Sequence, residues 1–172
     1  MTLSPSRQEI YMLMDKYAGI LQLKDKRILD VGIAGDPQLD GATSPSEKYR
    51  WFGEGNTFET LDNDPATRPD TVGDICEAPY LQDTFDLVIV SETLEHVYDY
   101  QRALRECNRI LKDRGYLIVD TPWLVDWHPT ETTPDYWRFS EDAYRTILAA
   151  NGFKIMDFYS SPNIKGALAI KL

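Results

Sequence analysis

The chain has 172 residues, enough for one domain with a real core and too few for two ordinary ones, so 1–172 is expected to fold as a single unit. Its net charge of −10, with no basic run, disfavours nucleic acid as a partner, because affinity for a polyanion rests on Lys and Arg neutralising phosphates. No apolar run approaches the ~20 residues of a membrane span, so no membrane partner is expected. The segment Met1-Thr2-Leu3-Ser4-Pro5 lacks the basic and apolar regions of a secretory signal, and a cytoplasmic location is the expectation. Cys76 and Cys107 are far apart, and Cys107 falls on an apolar helical stripe, so reduced thiols are expected.

In chain order, Ser4-Pro5 reads as an N-cap with proline in the first helical position. Ile10, Tyr11, Met14, Tyr17, Ala18 and Leu21 then recur at helical spacing, which predicts an amphipathic helix over about 5–22 packed on the domain. A first strand is predicted over Arg27 to Val31. The stretch from Asp36 to Asn56, with Pro37, Gly41, Pro45, Gly53 and Gly55, reads as a long loop with a short helix near Ser46 to Trp51. A second strand covers Thr57 to Leu61 and a short third one Val72-Gly73-Asp74-Ile75. Phe85-Asp86-Leu87-Val88-Ile89-Val90 is a continuous apolar run, as a central strand buried on both faces requires. Asp99 caps the next helix, whose face is Ala103, Leu104, Cys107, Ile110 and Leu111, and Gly115 is expected as its left-handed C-terminal cap. Tyr116 to Asp120 is a fifth strand, followed by a polar, aromatic loop from Thr121 to Phe139. Ser140 caps a last helix with Glu141 and Asp142 in its first turn, ended by Asn151-Gly152. Phe153 to Tyr159 and Ala167 to Leu172 form a hairpin whose turn holds Pro162-Asn163 and Gly166.

Strand–helix alternation closed by a hairpin predicts an α/β, Rossmann-like fold. The expected sheet is mostly parallel and seven-stranded with an antiparallel C-terminal hairpin, helices on both faces and reduced first crossovers. In such a sheet ligands bind outside the carboxyl ends of the strands, near the topological switch point. Asp30 and Asp62 end the first two predicted strands. The first is followed by the small residues Gly32, Ala34 and Gly35, and the second by Asn63-Asp64-Pro65. A carboxylate at the end of the second strand is placed to hold the two hydroxyls of a ribose. The two acids stand 32 positions apart, against about 20 in a compact dinucleotide-binding unit.

Together these residues resemble the class I S-adenosylmethionine-dependent methyltransferases, in a branch similar to methyltransferase type 11, over about residues 24–172. Ile28-Leu29-Asp30-Val31-Gly32 looks like the family's first motif, and Asp62 matches its ribose-binding acid. Asp74-Ile75 resembles the pair that meets adenine. Phe85-Asp86-Leu87-Val88 with Leu94-Glu95-His96-Val97, and Arg109 to Leu117, resemble later motifs of the subgroup typified by ubiquinone-biosynthesis enzymes. His128-Pro129 and Asp135-Tyr136-Trp137-Arg138-Phe139-Ser140 look like a signature of a bacterial branch associated with cell-surface sugar pathways. The resemblance implies S-adenosylmethionine as cofactor and methyl transfer to a small-molecule acceptor, a sugar or glycan precursor among the candidates. The family pattern Gly-x-Gly-x-Gly reads here Gly32, Ala34 and Asp36, which leaves a catalytically inactive binding or scaffold domain as the alternative.

Each candidate carries two readings. Asp62 is a ribose ligand or a turn residue; in the first case Asp62→Ala should leave the ligand-free melting temperature nearly unchanged. Asp30 faces the cofactor or stiffens its own loop, and Asp74 meets adenine or caps a helical turn. Ser91 and Glu92 end the central strand where ligand would approach. His96, His128 and Tyr136 are the candidate catalytic residues, with structural roles as the alternative. Trp137 and Arg138 line an acceptor pocket or anchor their loop. No Cys/His set has metal-ligand spacing, and the two histidines are too far apart in sequence to read as a pair, so no metal is expected.

Overall fold

The computed structural model describes residues 4–33, 48–129 and 133–172. Seven strands form one sheet: β1 (Arg27–Val31), β2 (Thr57–Asp62), β3 (Thr71–Val72), β4 (Phe85–Ser91), β5 (Leu111–Pro122), β6 (Phe153–Ser160) and β7 (Ile164–Lys171). Their spatial order is β3-β2-β1-β4-β5-β7-β6. Pairing is parallel from β3 through β5, and β7 runs antiparallel to both β5 and β6. The chain walks outward from β1 to β3 and then restarts at β4 on the other side of β1. The switch point is therefore the crevice at the carboxyl ends of β1 and β4, where a ligand is accommodated.

The pleat sends alternate side chains to opposite faces, and each face is covered. Ile28, Leu87, Ile89, Ile118 and Leu168 pack on α1 (Pro5–Leu21) and on Phe52 of the short α2 (Tyr49–Phe52). Leu29, Val31, Val88, Val90, Leu117, Val119, Ala167 and Ala169 pack on α3 (Tyr100–Ile110) and α4 (Glu141–Ala150). Phe85 joins this second face although Leu87 lies on the first, because the register shifts between them. The helix N-caps are those expected from the sequence. Ser4, Asp99 and Ser140 each accept a backbone N–H with the side chain, from Arg7, Arg102 and Ala143. The buried stripe of α1 is Ile10, Leu13, Met14 and Tyr17. Both cysteines are free, and burial pushes the Cys107 thiol up to about 12.

Three local expectations are corrected. The third strand is only Thr71–Val72: Gly73 donates its N–H to Asp62, and the Asp74 side chain accepts from Cys76 N, opening a 3-10 turn over Ile75–Glu77. A local side-chain bond thus wins over strand continuation. Gly115 is not the cap of α3, because Leu111 is already extended and paired with Phe85. Gly115 is instead needed inside β5, where a Cβ would come 2.8 Å from the Lys112 carbonyl oxygen.

Gly166 lies within β7 opposite Asp120, not in the turn. A Cβ there would meet Asp120 Cβ and Leu13 Cδ1 at 2.8 Å and Val119 O at 3.0 Å. Gly166→Ala should therefore destabilise by about 1–3 kcal/mol through overpacking, read by urea denaturation. An unchanged midpoint would mean that Leu13 moves aside without cost.

Of the long predicted loop, α2 is the helical part seen, close to the expected Ser46 to Trp51. Residues 34–47, with Ala34, Gly35 and Asp36, lie outside the described residues.

Candidate functional site

The carboxyl ends of β1, β2, β4 and β5 line one edge of the sheet, and each carries an acid or is followed by one. Asp30 is fully buried, with the equally sequestered Lys48 ammonium 3.6 Å from its Oδ2. Asp62 ends β2 nearly buried. Its Oδ2 accepts the Ile33 N–H at 2.9 Å and its Oδ1 the Asp64 N–H at 2.9 Å. Gly32 N also donates to Leu61 O, so the loop after β1 is stitched across to the end of β2. An ionised carboxylate offers about four lone-pair sites, so two backbone bonds leave Asp62 able to accept further hydroxyls. Asp74 is exposed and does cap its turn; Ile75 is buried in the core, and Asn63 is exposed beside Asp62.

Gly32 has φ +73 and no room for a side chain, since a Cβ would lie 2.1 Å from Thr93 Oγ1. The close approach at this glycine is to Thr93, whose hydroxyl is 3.0 Å from both the Val31 and Ser91 carbonyl oxygens. That contact ties the end of β1 to the turn after β4 across the switch point. Ser91 is buried at the end of β4. Glu92 holds a left-handed φ of +47 and donates its N–H to Asp120 O. A non-glycine residue in that region stores backbone strain, a cost tolerated mostly at functional sites.

Asp120, at the fourth turn-point of the same edge, is fully buried, and neither carboxylate oxygen makes a well-formed hydrogen bond among the described residues. Burial, then the charge of Glu92, pushes its carboxyl up to about 7, while Ser91 and the Lys48 ammonium pull the other way. Glu95 lies in the 3-10 turn Leu94–His96, also fully buried, and its carboxylate oxygens accept no hydrogen bond among the described residues. Burial pushes it well above the ordinary carboxyl range, with the charges of Glu92 and Asp120 adding to the effect.

The loop after β5 folds back over this turn. Glu95 O accepts the Tyr136 N–H at 2.8 Å, His96 Nδ1 lies 2.5 Å from Pro134 O, and Trp137 Nε1 donates to Val97 O. Arg138 grips Asp135 with two bonds, at 2.5 and 2.8 Å, and Asp135 Oδ2 also accepts the His128 N–H. The guanidinium holds the Asp135 carboxyl down at about 2. Trp137 and Arg138 thus take the anchoring role. Tyr136 remains half exposed, its ring 5.5 Å from that of the exposed Tyr98.

The structure brings His96 and His128 together, with ring centroids 5.6 Å apart. Their separation in sequence concealed this. His96 Nε2 is 3.7 Å from Glu95 Oε1. Burial pushes the His96 imidazole below its ordinary value and the Glu95 carboxyl well above its own, and both shifts disfavour an ion pair between them. Sequence reasoning missed Lys48, Thr93, Glu95 and Asp120 as members of the site. For Asp120 the signal was present: it is an acid at a predicted strand end, like Asp30 and Asp62.

A family model described as a methyltransferase domain matches residues 57–119. A probable S-adenosylmethionine-dependent methyltransferase of Mycobacterium tuberculosis is 35% identical over 60 residues, 35% of this chain, and the match spans 22% of that protein. The 27-O-demethylrifamycin SV methyltransferase of Amycolatopsis mediterranei is 30% identical over 66% of this chain and 45% of its own length. The chain thus spans less than half the length of either relative. Among solved structures, an S-adenosylmethionine-dependent methyltransferase of Aquifex aeolicus superposes with a TM-score of 0.71 at 17% identity, over 98% of this chain and 94% of that one. With the strand order and the acid-ended strands already described, these likenesses carry one conclusion: the chain has the fold seen in S-adenosylmethionine-dependent methyltransferases, and its residues 57–119 are similar to a methyltransferase domain.

Proposed function

We propose that this chain transfers a methyl group from S-adenosylmethionine to a small-molecule acceptor bound beneath the loop after β5. The observation that carries the proposal is the row of acids Asp30, Asp62 and Asp120 at the carboxyl ends of β1, β2 and β5, with Glu92 just past β4. S-adenosylmethionine carries a sulfonium, an ammonium and two vicinal hydroxyls, and an acid-rich edge suits all three. The buried Asp120 carboxyl, with no well-formed hydrogen bond among the described residues, is the kind of group that a bound cation would satisfy. The residues present therefore fit the cofactor.

When bound, S-adenosylmethionine supplies a methyl group activated for in-line displacement. The protein's share of such a reaction is mainly geometric: holding donor and acceptor in near-attack alignment and excluding water. In this reading Asp62 holds the ribose hydroxyls. Asp74 and the Ile75 backbone hold the adenine, and Asn63 borders the ribose. Gly32 and Thr93 keep the floor of the crevice closed, and Asp30 with Lys48 fixes the base of the loop after β1. Ser91 and Glu92 face the reacting end. Tyr136 and Tyr98 offer aromatic surface to the acceptor, and His96 or His128 is the candidate base for a hydroxyl acceptor. The resemblance of Asp135 to Ser140 to a sugar-pathway signature supports a sugar or glycan precursor as acceptor.

Calorimetric titration with S-adenosylmethionine and S-adenosylhomocysteine tests the reading. The expected result is one site per chain for both ligands. No heat and no thermal shift at millimolar ligand would overturn it and revive the inactive-domain alternative, whose sequence support, Ala34 and Asp36, lies outside the described residues.

A further inference from the structure

The turn after β4 and the loop after β5 meet at Glu95, His96 and His128, and one potential ligand atom from each lies within 4.8 Å of the other two. Glu95 is fully buried there with both carboxylate oxygens unpartnered among the described residues, and Oε1 is 3.7 Å from His96 Nε2. Leaving a buried carboxyl unsatisfied costs free energy, so such a group in a folded protein calls for an explanation.

Each imidazole has an Nδ1 partner of the kind that fixes a ligating histidine. The Pro134 carbonyl at 2.5 Å takes the Nδ1 proton of His96, which leaves Nε2 with its lone pair free and directed towards Glu95. His128 Nδ1 lies 2.8 Å from the Asp126 carbonyl oxygen and 3.3 Å from the Asp135 carboxylate, which assigns the proton to Nδ1 and leaves Nε2 free. A ligating histidine almost always donates its other ring nitrogen to a carbonyl or carboxylate in this way, fixing tautomer and orientation. Asp135 is itself held by Arg138.

We propose that Glu95, His96 and His128 form a binding site for a divalent transition cation. Two imidazoles and one carboxylate select zinc, cobalt or a similar borderline ion over magnesium and calcium, which prefer all-oxygen shells. Bond lengths of about 2.0–2.2 Å to nitrogen and oxygen require the three donors to draw in slightly from their present spacing. The side chains of His96 and His128 are 20% and 44% exposed, so a cation there is reachable from solvent and keeps an open coordination position. A three-ligand site with an open position is the pattern of catalytic rather than structural zinc. Use of that position to hold an acceptor oxygen rests on the methyl-transfer reading; the cation site itself does not.

Titration of the metal-free full chain with Co2+, followed by visible absorption, tests the site. The expected result is one Co2+ per chain, displaced by Zn2+ and not by equimolar Mg2+ or Ca2+. His128→Ala should weaken binding at least tenfold, and because His128 is largely exposed this variant is expected to fold. Glu95→Gln should weaken it similarly, with far-ultraviolet circular dichroism as the check on folding. Absence of a Co2+ spectrum at millimolar metal, or the same spectrum and affinity in wild type and His128→Ala, would overturn the proposal. S-adenosylhomocysteine binding measured on the same samples separates failure of the cation site from failure of the cofactor reading.

Discussion

Asp62→Ala should weaken S-adenosylmethionine binding by roughly tenfold to a hundredfold, and should also lower the melting temperature of the ligand-free protein by several degrees. The first effect follows from losing a charge-assisted hydrogen bond, about 1.5–3 kcal/mol, at 1.4 kcal/mol per factor of ten. The second follows from the bonds seen at this carboxylate. Its two oxygens accept the Ile33 and Asp64 backbone N–H groups, and alanine leaves both without that partner. The two bonds revise the sequence-based expectation of an unchanged melting temperature: Asp62 clamps the loop after β1. Asp62→Asn keeps one acceptor oxygen and should fall between wild type and alanine in both measurements. A lowered melting temperature with undiminished affinity would reduce Asp62 to the clamp alone.

Asp120→Asn should stabilise the ligand-free protein at pH 8 while weakening its hold on the cofactor. The carboxyl is raised from its ordinary 3.8 to about 7 in the folded state, mainly by burial. Between those values the folded protein holds a proton that the unfolded chain has lost. Stability from this group is therefore fully present below the unfolded value and is lost as pH rises through about 7. Asparagine removes that slope. Wild type and variant should converge in melting temperature near pH 4, diverge between pH 4 and 7 and stay apart above it, the variant being the more stable there by an amount on the order of a few kcal/mol. Parallel pH profiles would show that Asp120 is ionised at no cost, through a partner such as Lys48. The opposite signs of the two effects are the usual relation between a strained binding group and the stability it lowers.

The strand and helix order was legible because its signals are local. Leu87 to Val90 is apolar on both faces, and Ser4, Asp99 and Ser140 cap helices through bonds three residues long. The errors fall where a local competitor or a distant neighbour decides. Asp74 turned the third strand into a helical turn by bonding two residues ahead. Gly115 and Gly166 are required by the carbonyl of Lys112 and the side chains of Asp120 and Leu13, none of which periodicity can see. In the site, Asp30 and Asp62 were readable as acids at strand ends, and the same rule would have included Asp120. The meeting of Glu95, His96 and His128 was not readable, because it depends on the loop after β5 folding back through Pro134, Asp135 and Arg138 onto the turn after β4.

The central claim is that S-adenosylmethionine binds at the carboxyl ends of β1 and β2. A crystal structure of the full chain with S-adenosylhomocysteine tests it most directly. The expected result is ligand in the crevice beside Gly32, with both ribose hydroxyls in hydrogen-bond reach of Asp62 and the amino-acid end towards Asp120. Ligand at any other edge of the sheet, or a crevice occupied by the chain's own residues at saturating ligand, would contradict it.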